Sequence, residues 1–534
     1  MALSKIKQWT RVVVVLTTIS AAIMELLDTS IVNVALFNMA GSLGVNTEDV
    51  AWVITSYAIA NVIIIPLTGF LAAYFGRKNY YIVSMIIFTI ASYMCGASES
   101  LWTLVFWRFI QGIGGGALLS TSQAILFDAF EPKDRGMASG LFGMGIVLGP
   151  TLGPTVGGWV MEHFDWPWIF YINLPIGFIA TFLAYNFIDK KEGEGQQKAN
   201  ISIDYWGIGL LMLFVGPLQF VLERGEAEDW FSSPAIRILA PVAVLSLIGF
   251  IWRELSTASP AVNLRVLRFP TLALTNIFTF VLGVGLFTSV YVFPVMVQRI
   301  NGYTALETGL AILWPTLVGV FLFPVVGRMM SKGVSPFPFI FIGSIMFITF
   351  GFMGATMNGE ATRWDFFHVL VFRTFGIALM QLPMISMAVQ GIPTAEYPGA
   401  IAINNMIRQL GGAFGVAFAN NYISGHFAQH RADLVTNVYP QSQLYQERVN
   451  SIAQGLSARG SLDASEQASR LLNLAVDKQA YLLSYLDTFQ MISMFFVAIF
   501  PLIFVLQYIS KKKPNASVAA KDDEDAKKAM MEAH

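Results

Sequence analysis

Apolar residues run along this chain in long, nearly unbroken stretches, not in the alternating or one-faced patterns of a soluble protein. A helix needs about 20 mainly apolar residues to cross a bilayer. Fourteen stretches meet that length: 12–34, 50–72, 80–98, 101–126, 137–160, 166–187, 206–222, 236–254, 271–297, 305–329, 336–356, 363–390, 399–426 and 485–508. They predict an all-α integral membrane protein of 14 spans, in which the seventh and eighth could instead lie partly in the interface.

Lysine and arginine orient the spans, because cytoplasmic connections retain positive charge. With the N-terminus inside, the inner segments hold Lys5, Lys7, Arg11, Arg77, Lys78, Lys133, Arg135, Lys190, Lys191, Lys198, Arg253, Arg265, Arg268, Arg328, Lys332, Lys511, Lys512 and Lys513. The short outer connections hold Arg224, Arg237, Arg299 and Arg363. Both termini are therefore expected in the cytoplasm. The first apolar run is too long for a signal-peptide core and no small-residue cleavage site follows it, so it is expected to remain as a span.

Three connections are long. Residues 189–205 form a polar cytoplasmic linker, and 427–480 form an outer segment with charges interleaved with Leu, Ile and Ala at near-helical spacing. The tail after 510 is Lys-rich, then acidic, a composition expected to be disordered. The chain accordingly divides into an N-terminal six-helix bundle (1–188), a linker with two additional helices (189–265), a C-terminal six-helix bundle carrying the periplasmic segment 427–480 (266–510), and a tail (511–534).

The halves echo one another. PLTGFLAAYFGRK at 66–78 returns weakly as PVVGRMMSKGVS at 324–335, FWRFIQG at 106–112 as VFRTFGI at 371–377, and RGMASG at 135–140 as PGAIAI at 398–403. A repeat in the same orientation implies two bundles related by an axis along the membrane normal, with substrate bound between them near the midplane. Channels and structural proteins need no such repeat, so it favours a transporter.

Composition sharpens the class. Only 13% of the 534 residues are charged and 55% are hydrophobic, with mean hydropathy +0.60; a soluble chain carries roughly 25% charged residues. A net charge of −1 gives no nucleic-acid signature. The single cysteine, Cys95, lies in an apolar run and is expected to pack there, without an intramolecular disulfide. GIGGGA at 112–117 matches a dinucleotide fingerprint in form, but it follows a helical segment instead of a strand, so close helix packing is the better reading. His426 and His430 in HFAQH stand one turn apart with no third metal ligand nearby. No histidine lies beside a nucleophile, which argues against a membrane-embedded enzyme; no metal or cofactor is expected.

The chemistry concentrates in charged residues set in oil. Glu25 and Asp28 are about 300° apart on a helical wheel and so share one face of the first span. Charge at the bilayer centre costs about 2.5–3.5 kcal/mol per residue on insertion scales. The pair is either structural, satisfied by polar neighbours, or faces a water-filled cavity where it carries a proton or meets a cationic substrate; the latter is preferred. Arg108 in the fourth span is always charged and needs a carboxylate, carbonyls or water, with Glu25 and Asp28 the nearest candidates, and Gln111 lies one turn further along the same face. In GMGIVLGPTLGPTVGG (143–158), Gly145, Gly149, Gly153 and Gly157 make one bare helix face, while Pro150 and Pro154 favour bending. This stretch is either a tight helix crossing or a bending, sliding interface in alternating access. Arg77 closes the second span in GFLAAYFGRK, where it satisfies the charge rule and could also act as a gate latch.

At these residues the chain resembles the 14-helix drug:proton antiporters of the major facilitator superfamily. LLDTSIVNVAL (26–36) resembles the first-helix signature, GFLAAYFGRK the loop motif between the second and third helices, FWRFIQGIGGG the fourth-helix arginine motif, GIVLGPTLGPTVGG the fifth-helix antiporter motif, and WPWIFYINLPIG (166–177) the sixth-helix entry. The likeness covers nearly the whole chain and is greatest to inner-membrane pumps of tripartite multidrug efflux systems. It implies a major facilitator fold of two pseudo-symmetric six-helix bundles plus two extra central helices, exchanging inward protons for an outgoing compound. It assigns Asp28 as the first-helix acid and Arg108 as the fourth-helix arginine. It also implies a periplasmic adaptor (membrane fusion) protein and a TolC-like outer-membrane channel, with 427–480 either docking the adaptor or capping the pump. The family's loop aspartate is Ala73 here, and Glu25 is an acid the pattern does not require.

The expected function is proton-coupled export of lipophilic, cationic or aromatic compounds across the inner membrane, with dedicated export of one metabolite or siderophore as the alternative. Protons are expected at Asp28 and Glu25, and substrate between the halves against Asn33, Tyr57, Asn61, Gln111, Tyr291 and Gln298.

Overall fold

A computed structural model describes residues 2–130, 135–189, 204–257, 260–393, 396–436, 438, 441–458 and 463–511. Lys133, Lys190, Lys191, Lys198, Lys512, Lys513, most of the 189–205 linker and the tail beyond 511 lie outside this set. Lys5, Lys7, Arg135 and Lys511 are described in their backbone alone.

Among the described residues the secondary structure is helical, without strands. Fourteen long helices form the body: α1 (Ala2–Leu43), α2 (Trp52–Phe75), α3 (Arg77–Gly96), α4 (Leu101–Ala129), α5 (Arg135–His163), α6 (Trp168–Phe187), α7 (Tyr205–Arg224), α8 (Pro234–Ser256), α9 (Pro270–Met296), α10 (Ala305–Ser331), α11 (Phe337–Gly354), α12 (Arg363–Ala388), α13 (Tyr397–Thr436) and α14 (Ala464–Ile499). Among the described residues, twelve segments are long and apolar enough to cross a membrane. The other two, α4 and α13, are 29 and 40 residues long but carry buried polar side chains, among them Arg108 and Gln111 on α4 and Asn404, Asn405 and Arg408 on α13. All fourteen expected stretches thus fall on helices, and the seventh and eighth are full-length ones packed side by side.

Helix ends obey local chemistry. Gly76 alone separates α2 from α3, and its φ of 83° is a backbone conformation that a β-carbon would strain. Thr304 with Glu307 and Thr362 with Asp365 form reciprocal capping boxes at the starts of α10 and α12. Large apolar side chains such as Phe178, Phe182, Leu245 and Ile248 stand exposed on the outer surface, as lipid-facing residues do, and Trp9, Trp102, Trp206, Trp252 and Trp364 are exposed close to helix ends, where interfacial tryptophans collect.

Packing reproduces the sequence repeat. In the first half α1 pairs with α5, α2 with α4 and α3 with α4; in the second, α9 pairs with α13, α10 with α12 and α11 with α12. The halves meet along two seams, α5 against α10 and α2 against α13. On the second seam α7 and α8 join a shared apolar core: Leu211, Phe214, Val215 and Phe250 pack with Val62, Ile63 and Leu67 of α2 and with Ala400 and Ile403 of α13.

Two helices run further than hydropathy indicates. α13 continues to Thr436 and α14 starts at Ala464, about two-thirds of the way along the outer segment, with a short helix, Gln443–Ser457, between them. These extensions are rich in Ala, Leu, Gln, Glu and Arg, good helix formers that stay helical once the apolar run has ended.

Candidate functional site

Glycines on α4 bring the site together. A β-carbon on Gly112 would stand 2.5 Å from the Tyr57 carbonyl oxygen, and one on Gly116 would stand 2.7 Å from that of Asn61. This stretch, GIGGGA, therefore lets α2 approach α4 almost backbone to backbone, and the Tyr57 ring comes to lie 4.2 Å from the Arg108 guanidinium carbon. Phe170 flanks the same guanidinium at 5.6 Å.

Arg108 and Asp28 form a fully buried ion pair, with side-chain exposures of 1% and 0%. Arg108 Nη1 donates to Asp28 Oδ2 at 2.5 Å and to Gln111 Oε1 at 2.7 Å, while its Nε donates to the Val53 carbonyl at 3.1 Å. Gln111 Nε2 donates to Asp28 Oδ1 at 3.0 Å and to Ser92 Oγ at 2.7 Å. Asn173 Nδ2 completes the shell, donating to Asp28 Oδ1 at 2.8 Å. Asp28 on α1 is thus held by α4 and α6, and both its oxygens are occupied. Cys95 closes the back of the network, its Sγ 3.6 Å from Gln111 Oε1.

Glu25, one turn away, is differently placed. Its Oε1 accepts from Asn61 Nδ2 at 3.0 Å and from the Tyr57 hydroxyl at 3.5 Å. Its Oε2 is buried without a partner among the described residues. A buried acceptor left unmade costs roughly 1–3 kcal/mol, and more when charged. Arg408 of the opposite half lies within electrostatic reach of Glu25.

The structure brings Tyr57, Asn61 and Gln111 into this network. Tyr291 sits half-buried near Asn420 and Tyr485, while Asn33 and Gln298 are exposed and stand outside it. The glycine face of α5 lies on α1: β-carbons at Gly149 and Gly157 would meet Leu26 Cβ at 2.6 Å and Ile31 Cγ1 at 2.9 Å. Other glycines of α5 face α10, Gly140 and Gly143 against Phe323 and Gly158 against Leu306. α5 is therefore in close contact both with the helix bearing the two acids and with the opposite half. Pro150 and Pro154 lie inside it. Arg77 pairs with Asp128 at the end of α4.

Several site residues were not singled out from the sequence. Asn173 and Ser92 are single polar residues in apolar helices, a weak signal. Arg408 carried the same signal as Arg108, an arginine inside an apolar span. Arg373 occupies the repeat position of Arg108; it is buried, and its Nε and Nη1 lack partners among the described residues. The second half thus keeps the arginine without a counterpart of its carboxylate pairing.

The profile of the Major Facilitator Superfamily matches residues 18–416. The chain belongs to the major facilitator superfamily. Among curated relatives it is 31% identical over 487 residues to the multidrug export protein EmrB of Escherichia coli K12, covering 90% of this chain and 93% of that one. It is also 31% identical over 484 residues to EmrB of Haemophilus influenzae, covering 90% and 92%. The fatty acid resistance protein FarB of Neisseria gonorrhoeae is 30% identical over 491 residues, covering 91% and 94%. Among solved structures the human organic anion transporter MFSD10 shares the fold at TM-score 0.59 and 14% identity, covering 92% of this chain and 99% of that chain. The proton:xylose symporter XylE does so at TM-score 0.57 and 14% identity, covering 93% and 97%. The protein is a membrane transporter of the major facilitator fold.

Proposed function

We propose that the protein is a proton-coupled antiporter of the inner membrane, both termini cytoplasmic, which exports lipophilic, cationic or aromatic drugs and toxic compounds by alternating access. The observation that carries this reading is the contrast between two buried acids on α1: Asp28 bound on both oxygens, and Glu25 with one oxygen open. A proton and a cationic group compete for the open oxygen of Glu25, and such competition is what exchange requires. A proton on Asp28 displaces donors that tie α1 to α4 and α6, and so links protonation to helix rearrangement. α5 transmits the change, because its glycines touch α1 on one side and α10 on the other and Pro150 and Pro154 lie inside it. Tyr57, Asn61 and Gln111 line the N-terminal wall of the substrate path.

That the EmrB relatives are multidrug export proteins supports a broad drug range, while FarB, a fatty acid resistance protein, supports the narrower alternative of one dedicated substrate class, a metabolite or siderophore exporter included. A resistance panel of unrelated dyes separates the two. The outer extensions of α13 and α14 are where a periplasmic adaptor, and through it a TolC-like channel, would dock.

The test is dye transport by the purified protein in liposomes under an imposed pH gradient, comparing wild type with Asp28→Asn and Glu25→Gln. Gradient-driven transport lost in both variants upholds the reading. Transport that ignores the gradient in wild type, or persists when both acids are neutralised, refutes it.

A further inference from the structure

Opposite the two acids, the second half offers hydrogen-bond donors that the fold does not use. A small cavity on the seam is lined by Thr279, Gln381, Asn404, Asn405 and Arg408. Asn405 Nδ2 donates across the seam to Ser120 Oγ of α4 at 3.0 Å, so the cavity, walled by the second half, borders the seam with the first. Arg408 is buried, and the one hydrogen bond described for it is from Nη2 to Asn405 Oδ1 at 3.4 Å, with no carboxylate in bonding contact. Gln381, 2% exposed, has both amide atoms unpartnered, and Asn276 Nδ2, next to the cavity through the Asn404 amide, is unpartnered as well. The apolar wall is Leu282, Met384 and Ile385.

A buried guanidinium without an acid partner is expensive, and so is a buried amide without one. The open amide of Gln381 shares the cavity with that guanidinium, and the open amide of Asn276 lies next to it behind Asn404; together they make a place for a planar group rich in acceptors. Arginine's fork suits a carboxylate. We propose that this cavity is a carboxylate subsite, and that the favoured substrates are zwitterionic amphiphiles whose cationic end meets Glu25 and whose carboxylate meets Arg408, Gln381 and Asn276. This rests on the antiport reading for its cationic half. A purely cationic compound is repelled by Arg408 and leaves the donors unmet. A purely anionic one is held more tightly as Glu25 takes up a proton, which would couple the two in the same direction and not in exchange. A zwitterion satisfies both walls, and the proton still competes for its cationic end.

A matched dye pair tests this: rhodamine B, a zwitterion bearing a free carboxylate, and its ethyl ester, the same ring system carrying only the cation. Binding to the purified full-length protein is read by fluorescence anisotropy, without any gradient. Rhodamine B is expected to bind about tenfold more tightly than the ester, the scale of one charge-assisted hydrogen bond. Arg408→Gln is expected to bring the two to parity by weakening rhodamine B and relieving the repulsion of the ester, Gln381→Leu to narrow the gap, and Arg408→Lys to keep part of it. Melting curves confirm that each variant is folded, and Gln381→Leu serves where Arg408→Gln is not. Equal binding of both dyes to wild type, or a preference that survives in folded Arg408→Gln, overturns the subsite. If the preference is present and lost as expected while a pH gradient drives neither dye, the subsite stands and the antiport reading fails.

Discussion

Glu25 and Asp28 stand one turn apart on α1, yet their carboxylates are in opposite conditions. Asp28 accepts from Arg108, Gln111 and Asn173 with both oxygens, whereas Glu25 accepts on Oε1 alone and keeps Oε2 bare. Two identical functional groups on one helix face have thus been separated into a structural anchor and an open acceptor. The separation comes from which helices they face: Asp28 meets α4 and α6, and Glu25 meets the polar residues of α2.

That difference predicts different losses. Asp28→Asn leaves Arg108 buried without a carboxylate, and breaking one partner of a buried pair costs about 3–5 kcal/mol. Its melting temperature is expected to fall clearly, and gradient-driven transport with it. Glu25→Gln keeps the bonds to Asn61 and Tyr57 and relieves an unpartnered charged oxygen. Its stability is expected to match or exceed wild type, while the dependence of transport on pH disappears. Thermal unfolding and liposome transport on the same preparations check both.

A double-mutant cycle measures the anchor itself. Arg108→Gln and Asp28→Asn each strand a buried charge, but together they strand none. The double variant is expected to be more stable than the two single losses sum to, with a coupling energy of roughly 1–3 kcal/mol. Arg108→Lys is expected to behave as a loss and not as a conservative change. An ammonium cannot serve Val53, Asp28 and Gln111 from one plane while lying under the Tyr57 ring. Additivity within error would mean that the 2.5 Å pair contributes nothing specific.

How far the sequence foretold this site follows from what each signal costs. A charge in an apolar helix is expensive, so Glu25, Asp28 and Arg108 were conspicuous. Asn173 and Ser92 are cheap enough to occur anywhere, and nothing in the chain marked them as the shell of Asp28. Arg408 was as conspicuous as Arg108; its meaning depended on Gln381 and Asn276, which come close to it from helices far away in sequence. Asn33 and Gln298 lie in the right helices on faces left exposed, because hydropathy assigns a span without fixing its rotation. The glycine ladder of α5 was legible as a bare face, but its neighbour, α1, is set by bundle packing. The outer turns of α13 and α14 showed in the sequence as near-helical spacing within 427–480 but lay beyond the span boundaries, because an apolar count ends where the apolar run does, and the helix does not.

The α5–α1 contact gives a graded steric test. At Gly149 an added methyl meets Leu26 Cβ at 2.6 Å and the Ile23 carbonyl at 3.3 Å, atoms that move only if α1 moves. At Gly145 the nearest atoms are side-chain carbons of Ile19 and Ile23, at 3.2 and 3.4 Å, which can turn aside. Gly149→Ala is expected to destabilise by about 1–3 kcal/mol, the usual range for overpacking, and to slow transport by displacing the acids. Gly145→Ala is expected to be near neutral, the gain in helix propensity offsetting a small clash. Melting curves and transport rates of the two variants should differ in that order.

The Arg77–Asp128 pair tests the latch. Both side chains are partly open to solvent, at 19% and 30%, so the pair is worth at most about 1 kcal/mol of stability. Arg77 nevertheless lines a second small cavity on the seam, beside Ile401 and Ala402 of α13. Asp128→Asn is therefore expected to leave the melting temperature nearly unchanged while reducing transport severalfold. Exchanging the charges, Arg77→Asp with Asp128→Arg, should restore more activity than either single change retains. Transport unaffected by all four variants would reduce the pair to a charge-rule feature of the loop.

Cys95 reports whether the anchor is sealed, and it does so without engineering because it is the only cysteine in the chain. Its thiol is fully buried and packed against Gln111 Oε1 at 3.6 Å, and a thiol reacts only where water and reagent reach it. In the folded wild type a water-soluble maleimide is expected to label Cys95 at least about tenfold more slowly than in denaturant, the equivalent of about 1.4 kcal/mol of opening. Asp28→Asn removes the carboxylate that fixes Gln111 and Arg108, so labelling should accelerate in that variant. In Glu25→Gln the shell of Asp28 is intact and the rate should stay at the wild-type value. Mass spectrometry of the intact protein over time gives all three rates. Equal acceleration in both variants would mean that the two acids share one cooperative site, whereas acceleration in Asp28→Asn alone confirms their division into anchor and acceptor.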